Sequence, residues 1–312
     1  MENLRVSFEV ILPIFISLAL GYLLRRVRLL DGQSVEKLNG LSFKVFLPLF
    51  LFNNLLRTDL TQAFNGRLVL FAVLGVTGLF LLMMLVMPLL EKEKPRCGVL
   101  VQAVFRSNFA LFGLPVAISL CTEERVGPTS LLVGIVVPIY NVLAVVALEL
   151  FRGGRPSPGK IAKGIATNPL IIASLLGLLV NFAGIPFPAV AEKCVRDLGN
   201  VATPLSLIAL GADFRFGAAR RDLRQLSIAV IGKLVVSPLL LVGAGILCGF
   251  RNELLVPILV FSGSPTAVSS YPMAQQMGGD GELAGEAVVF TSAFSVFTMF
   301  LWIFALKQCG VI

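Results

Sequence analysis

The sequence predicts an all-α membrane protein of ten transmembrane helices, built as two inverted five-helix repeats. Three observations carry this prediction. The 312 residues are 56% hydrophobic and only 14% charged, with a mean hydropathy of +0.90, a balance that soluble chains do not show. Apolar segments close to the ~20 residues a bilayer requires follow one another with short polar connections. Proline and glycine positions also recur at a spacing of half the chain.

In chain order the segments run at about 8–25, 36–56, 67–90, 96–121, 127–151, 165–184, 195–213, 223–249, 252–277 and 284–306. The first outruns a signal peptide and no small-residue cleavage site follows it, so it is expected to stay in place. The longest polar linker, RGGRPSPGK from Arg152 to Lys160, lies at the midpoint. It divides a first repeat (1–151) from a second (165–312), with 152–164 as the linker. Pro13 and Pro169, Gly21 and Gly177, and Pro48 and Pro204 are each 156 residues apart. Gly75 and Gly232, and Pro115 and Pro272, are 157 apart. Five spans is an odd number, so a second copy enters the membrane from the opposite side. Inverted repeats with interrupted helices characterise a class of secondary transporters.

Basic residues set the orientation. Of 26 Lys and Arg, fifteen fall on the side that holds Arg25, Arg26, Arg28, Lys37, Lys92, Lys94, Arg96, Arg152, Arg155, Lys160, Lys163, Arg215, Arg220, Arg221 and Arg224. Eight fall on the other: Arg5, Arg57, Arg67, Arg125, Lys193, Arg196, Arg251 and Lys307. The positive-inside rule puts the first side in the cytoplasm of a cell-membrane protein, with both termini outside. The same distribution explains the net charge of +8 without nucleic acid; the surrounding partner is lipid. Histidine is absent, which removes His-based metal sites and general bases, and neither metal nor cofactor is expected. The five cysteines read as small apolar core residues, not a disulfide framework.

Two spans carry signs of a break. The fourth contains RSNFALFGLPVAISL, Arg106 to Leu120, with Ser107 and Asn108 at mid-membrane depth, then Gly113 and Pro115. Pro115 lacks an N–H and its ring crowds the carbonyl of Leu111, so the helix is expected to break there. The ninth contains FSGSPTAVSSYPMAQQ, Phe261 to Gln276, with Ser262, Gly263, Ser264, Pro265, Ser269, Ser270, Tyr271 and Pro272. Irregular backbone in a membrane must be buried in protein or line a watery cavity. Half-helix N-termini suit an anion, and half-helix C-termini suit a cation or a donor. Proline and glycine also kink packed helices that have no ligand, so both readings stand.

Lys44, Arg106 and Lys233 fall roughly 12–15 Å into their spans at 1.5 Å per residue. They either balance the charge of an anion or snorkel to the interface. The carboxylates Glu9, Asp59, Glu149, Asp213 and Glu286 all fall near span ends. Cations in the core without carboxylates favour an anionic substrate. Asn53, Asn54 and Asn141 are weaker candidates, since buried amides often only join helices. Gly278-Gly279-Asp280 resembles the Gly-x-Gly-Asp of intramembrane aspartyl proteases. It lies at a membrane edge without a second Asp in a neighbouring span, so no enzyme is expected.

The segments LPIFISLALGYLLRR, LNGLSFKVFLPLFLF, SNFALFGLP and SPTAVSSYPMAQQMGGD, in this order and spacing, resemble the auxin efflux carrier family. That family includes plant PIN exporters and bacterial malonate and malate permeases, and the resemblance covers nearly the whole chain. It implies that helices 4 and 9 cross at their prolines, and that helices 1, 2, 6 and 7 form a dimeric scaffold. It also implies that a carboxylate is held near the crossing, where Asn108 matches the family's Asn. The long central loop of the plant members is absent, and Ser replaces a second Asn in the ninth helix. A small bacterial organic acid therefore fits better than auxin.

The functional expectation is a carrier of a small organic anion, working by alternating access. Asn108, Gly113, Pro115, Ser264, Pro265, Ser269, Ser270, Tyr271 and Pro272 form the substrate site, and Arg106, Lys233 and Lys44 balance charge. The alternatives are a sodium-coupled symporter of bile-acid type and a non-transporting sensor. Uniport and proton linkage through Glu149 or Asp213 both remain open.

Overall fold

A computed structural model describes residues 2–56, 65–121, 127–153 and 158–312. Arg57, Asp59, Arg125 and Arg155 lie outside the described residues. Those described are helical throughout, and the sole β pairing among them is one isolated antiparallel bridge between Ser107 and Thr266.

The helices, in order, are α1 (Glu2–Arg26), α2 (residues 32–56, with a π turn at Ser42–Phe46), α3 (Gly66–Leu90), α4a (Lys94–Phe105) and α4b (Phe109–Leu120). Then come α5 (Gly127–Phe151), α6 (residues 158–182, interrupted at Asn168), α7 (residues 189–213, with a turn at Val201), α8 (Leu223–Leu247), α9a (Asn252–Gly263), α9b (Ser270–Met277) and α10 (Gly281–Gln308). Four of these, α3, α5, α8 and α10, are long and apolar enough to cross a membrane by themselves. Polar residues in the short connections start the helices. Asp31, Asn65, Asn168 and Asp280 each accept a hydrogen bond from a first-turn backbone N–H through a side-chain oxygen.

Helix surfaces sort into two kinds. On α3, Leu68, Ala72, Val76, Leu79, Met83 and Met87 are buried, while Leu70, Leu74, Leu81, Leu85 and Leu89 are all more than half exposed. A helix apolar on its buried face and equally apolar on its exposed one is made for lipid. In contrast, α4a from Cys97 onward and α9a from Leu255 onward are buried at every position, so the two interrupted helices form the centre of the molecule.

Around that centre, α1 packs on α7 with backbones nearly touching. A Cβ on Gly21 would lie 2.0 Å from the carbonyl oxygen of Ile208, and one on Gly211 would lie 2.0 Å from that of Leu18. The first of these contacts has a counterpart 156 residues away, where a Cβ on Gly177 in α6 would lie 2.9 Å from the carbonyl oxygen of Phe52 in α2. Helix ends recur in the same way: residues 2–26 against 158–182, 32–56 against 189–213, and Gly66–Leu90 against Leu223–Leu247.

Two expectations need correcting. The fourth span does not break at Pro115. Its chain leaves the helix at Arg106–Asn108, and Pro115 is the seventh residue of the continuous helix α4b. The π turn Phe109–Gly113 just before it widens the helix and makes room for the ring. The cysteines are also not uniformly core residues. Cys97 is buried, Cys121 half-buried, and Cys194, Cys248 and Cys309 are exposed; none of them is in a disulfide.

The α1–α7 contact yields a stability prediction. Gly21→Val forces the two backbones apart and is expected to destabilise by about 1–3 kcal/mol. Thermal melting in detergent checks this. Gly78→Val, where a Cβ would meet nothing within 4 Å, should melt like wild type.

Candidate functional site: the meeting of two broken helices

At the end of α4a the backbone becomes extended at Arg106 (φ −89°, ψ 127°), and at the end of α9a it becomes extended at Ser264 (φ −64°, ψ 151°). The two irregular stretches lie against each other. The backbone N–H of Asn108 donates to the carbonyl of Pro265 at 2.8 Å, beside the Ser107–Thr266 bridge. Pro265 has no N–H, so the break carries one donor fewer to satisfy.

Hydroxyl groups then take up carbonyls freed where the first half-helices end. Thr266 Oγ1 donates to Ala103 O at 2.8 Å, Ser237 Oγ to Ser262 O at 3.2 Å and Tyr140 Oη to Phe261 O at 3.0 Å. Ser107 Oγ also donates to Phe261 O. The N–H of Thr266 donates to Thr291 Oγ1 at 3.1 Å. The carbonyls of Ala103, Phe261, Ser262 and Pro265 are thus already engaged.

The donors are not. Asn108 Nδ2 and Asn141 Nδ2 are both buried without an acceptor. Each such group costs about 1–3 kcal/mol unless something accepts from it. Beside them lies Arg106, 3% exposed. Its guanidinium donates to Asn141 Oδ1 at 2.6 Å and Ser269 Oγ at 2.8 Å, with longer contacts to Ser270 Oγ (3.5 Å) and Met273 Sδ (3.2 Å). All four are neutral. Lys233, in the π turn Gly232–Val236 of α8, is fully buried and donates to Ser107 Oγ. Two cations therefore flank the break with neutral partners.

A cavity of about 50 Å³ opens here, room for roughly three or four water-sized groups. Its polar lining comes from Arg106, Ser107, Asn108, Tyr140, Asn141, Ser206 and Ser269, and its apolar walls include Phe50 and Leu51 of α2.

Of the residues singled out from sequence, Arg106, Asn108 and Ser269 line the cavity together. Ser270 touches Arg106, and Pro265 holds the break from behind. Ser264 turns its hydroxyl onto Val260 O and packs against Gly113, where a Cβ would meet Ser264 Oγ at 3.0 Å. Pro272 lies in the first turn of α9b, whereas Pro115 lies inside α4b, just after its π turn. Lys233 reaches the site only through Ser107. Tyr271 points elsewhere: it accepts from Asn39 Nδ2 at 2.9 Å and donates to Asp213 Oδ2 at 3.0 Å. Lys44 is exposed, in a separate groove with Glu36, Lys37 and Gln276. Sequence reading noted Ser107 as polar at mid-membrane depth but left it out of the site, gave Asn141 too little weight and passed over Tyr140. The signal for the last two was a Tyr-Asn pair at the middle of an otherwise apolar span.

The Lys233–Ser107 contact can be tested by a double-mutant cycle. Ser107→Ala leaves a buried ammonium without its acceptor and is expected to cost about 3–5 kcal/mol in thermal or denaturant unfolding. Adding Lys233→Met should recover most of that loss, because the stranded charge goes with it.

Comparison with known proteins agrees with this architecture. A family model described as "Membrane transport protein" matches residues 6–155 and 157–303. A "Putative malonate transporter" of Rhizobium meliloti (strain 1021) is 24% identical over 296 residues, covering 93% of this chain and 92% of its own. An "Uncharacterized transporter" of Methanothermobacter thermautotrophicus is 25% identical over 305 residues, covering 95% and 97%. Another from Methanocaldococcus jannaschii is 22% identical over 307 residues, covering 95% and 98%. With both halves matched end to end, the chain belongs to the membrane transport protein family, the one its motifs resemble.

Proposed function

We propose that the protein is a ten-helix carrier of two inverted repeats, which moves a small organic anion, a mono- or dicarboxylate, by alternating access where α4 and α9 meet. One observation carries the reading. At the meeting point the carbonyls of Ala103, Phe261 and Ser262 accept from Thr, Tyr and Ser hydroxyls, whereas two buried amide donors and a guanidinium with only neutral partners face the cavity. A site with spare donors and spare positive charge suits a carboxylate.

In this reading Asn108 and Asn141 donate to the carboxylate, and Arg106 supplies the balancing charge. Ser269, at the start of α9b, exchanges its contact with Arg106 for one with the substrate. Lys233 adds positive potential through Ser107, which favours a dianion. The recurrence of helix ends at 156 or 157 residues supports the inverted repeat, and the malonate transporter relative supports a carboxylate. Alternating access needs α4 and α9 to shift against α1, α2, α6 and α7. The Gly21–Ile208 and Gly177–Phe52 contacts make the latter set a rigid support, taken to be dimeric in the cell membrane. Both termini would lie outside and the central linker in the cytoplasm. The sodium-coupled alternative is weaker because four carbonyls at the break, those of Ala103, Phe261, Ser262 and Pro265, are already engaged.

Counterflow in proteoliposomes tests the proposal without knowledge of coupling. Vesicles are loaded with malonate, malate, succinate, lactate or indole-3-acetate in turn, and entry of the labelled acid is followed. Wild type should accumulate at least one acid; silence across the panel with folded protein would sink the carrier reading. Asn108→Ala removes a hydrogen bond to a charged group worth about 1.5–3 kcal/mol, so half-saturation should rise roughly 10- to 100-fold with melting unchanged. Unaltered exchange by that variant would remove the meeting point from the site.

A further inference from the structure

Away from the cavity, the seam where α7, α9b and α10 meet holds a carboxyl group that the transport site does not use. Glu286, the sixth residue of α10, is 1% exposed, and neither of its carboxyl oxygens has a hydrogen-bond partner among the described residues. It faces a cavity of about 10 Å³, the lower limit for a single water. Leu210, Asp213, Arg215, Tyr271 and Glu282 share that cavity. The seam is tight: a Cβ on neighbouring Gly285 would lie 2.4 Å from Leu210 Cδ1 and 3.3 Å from the Tyr271 ring.

The surrounding charges leave Glu286 without a counterion. It faces Asp213, the last residue of α7, and Arg215 just beyond it, and Asp213 is held by the Tyr271 hydroxyl of α9b. Asp222, which precedes α8, and Glu282 and Asp280, at the start of α10, are all acidic. Arg96 of α4a is engaged by Asp222 at 2.5 Å and Asp280 at 3.4 Å. Tyr271 cannot donate to Glu286 while it donates to Asp213. An ionised carboxylate here would be a buried, unpaired charge among other carboxylates, which is among the most costly arrangements a protein can hold. The neutral acid avoids that cost.

We propose that Glu286 is a proton-binding site that couples proton movement to anion movement: it holds a proton while the seam is closed and releases it when α9b moves from α7. The proposal rests on the carrier reading above. In the proton step the O–H bond of the acid breaks, the proton passes to water entering from the side of Arg215, and the resulting carboxylate is screened by that water and Arg215. Closing the seam expels the water and requires the proton back. Because Ser269 of the substrate cavity is the N-cap of α9b and Tyr271 of the seam is its second residue, one displacement opens both.

The experiment uses proteoliposomes with a pH-sensitive dye inside and the acids of the counterflow panel. Counterflow is measured first, then substrate-driven proton flux on the same vesicles. Wild type should show both. Glu286→Gln should keep counterflow within about twofold while proton flux and pH-driven accumulation disappear. Asp213→Asn, which leaves Glu286 in place, should keep proton flux. Wild-type counterflow without proton flux, or proton flux unchanged in the Glu286→Gln variant, would overturn the proposal while leaving the carrier reading intact. Absence of wild-type counterflow would instead overturn the carrier reading. Difference infrared spectroscopy of unliganded wild type and variant then decides the proton site alone: a protonated-carboxyl band lost in Glu286→Gln supports it, and no such band overturns it.

Discussion

Everything in this fold depends on two stretches of non-helical backbone hiding their polar groups from lipid in each other. A helix broken in the middle of a membrane exposes N–H and C=O groups that hydrocarbon cannot serve. Here the breaks at Arg106–Asn108 and Ser264–Ser269 pair directly, Asn108 N–H to Pro265 O, and hydroxyls from α4, α5, α8 and α9 take up carbonyls left over. That requirement explains why Ser, Thr and Tyr gather where the hydropathy of the chain is otherwise high. It also explains why α4a and α9a are buried all round. Neither could face lipid while ending where it does.

The same accounting separates ligand chemistry from structural chemistry. A polar side chain in the centre of a membrane protein is weak evidence for a ligand, since most such groups satisfy the backbone. Ser264, Ser107, Thr266 and Tyr140 do that work here. Asn108, Asn141 and Arg106 do not: the amides have unused donors, and the guanidinium bonds to four neutral partners. In the proposed carrier these modest contacts suit release as well as capture, because no carboxylate competes permanently for Arg106.

Much of the architecture was legible in the sequence, through physics that acts locally. Apolar runs of bilayer length located most helices to within a few residues, and Pro13, Gly21, Pro48 and their partners 156 residues on marked a recurrence that helix ends repeat. Both breaks were visible as polar residues in apolar spans. What could not be read was whatever depends on the direction a side chain takes. Lys44 and Lys233 lie at similar depth in their spans, yet one is exposed in a groove and the other is fully buried beside Ser107. Depth is counted along the axis, whereas burial depends on rotation about it. The break at Arg106 rather than Pro115 was hidden for a related reason. A π turn absorbs the ring of Pro115, and only the neighbour at Pro265 makes a non-helical Asn108 favourable.

Glu286 shows most clearly how position along a span misleads. It lies one and a half turns from the start of α10, where a carboxylate is ordinarily solvated or near the favourable end of the helix dipole. What isolates it is tertiary: Leu210 and Tyr271 close over Gly285, and Asp213 holds the one hydroxyl within the seam that would otherwise serve it. Ser269 is the N-cap of the eight-residue α9b and Tyr271 its second residue, too close for a bend between them. A displacement that changes what Ser269 touches in the cavity must therefore change what Tyr271 covers at the seam. The coupling between the two places needs no pathway of intervening side chains, only the rigidity of two turns of helix.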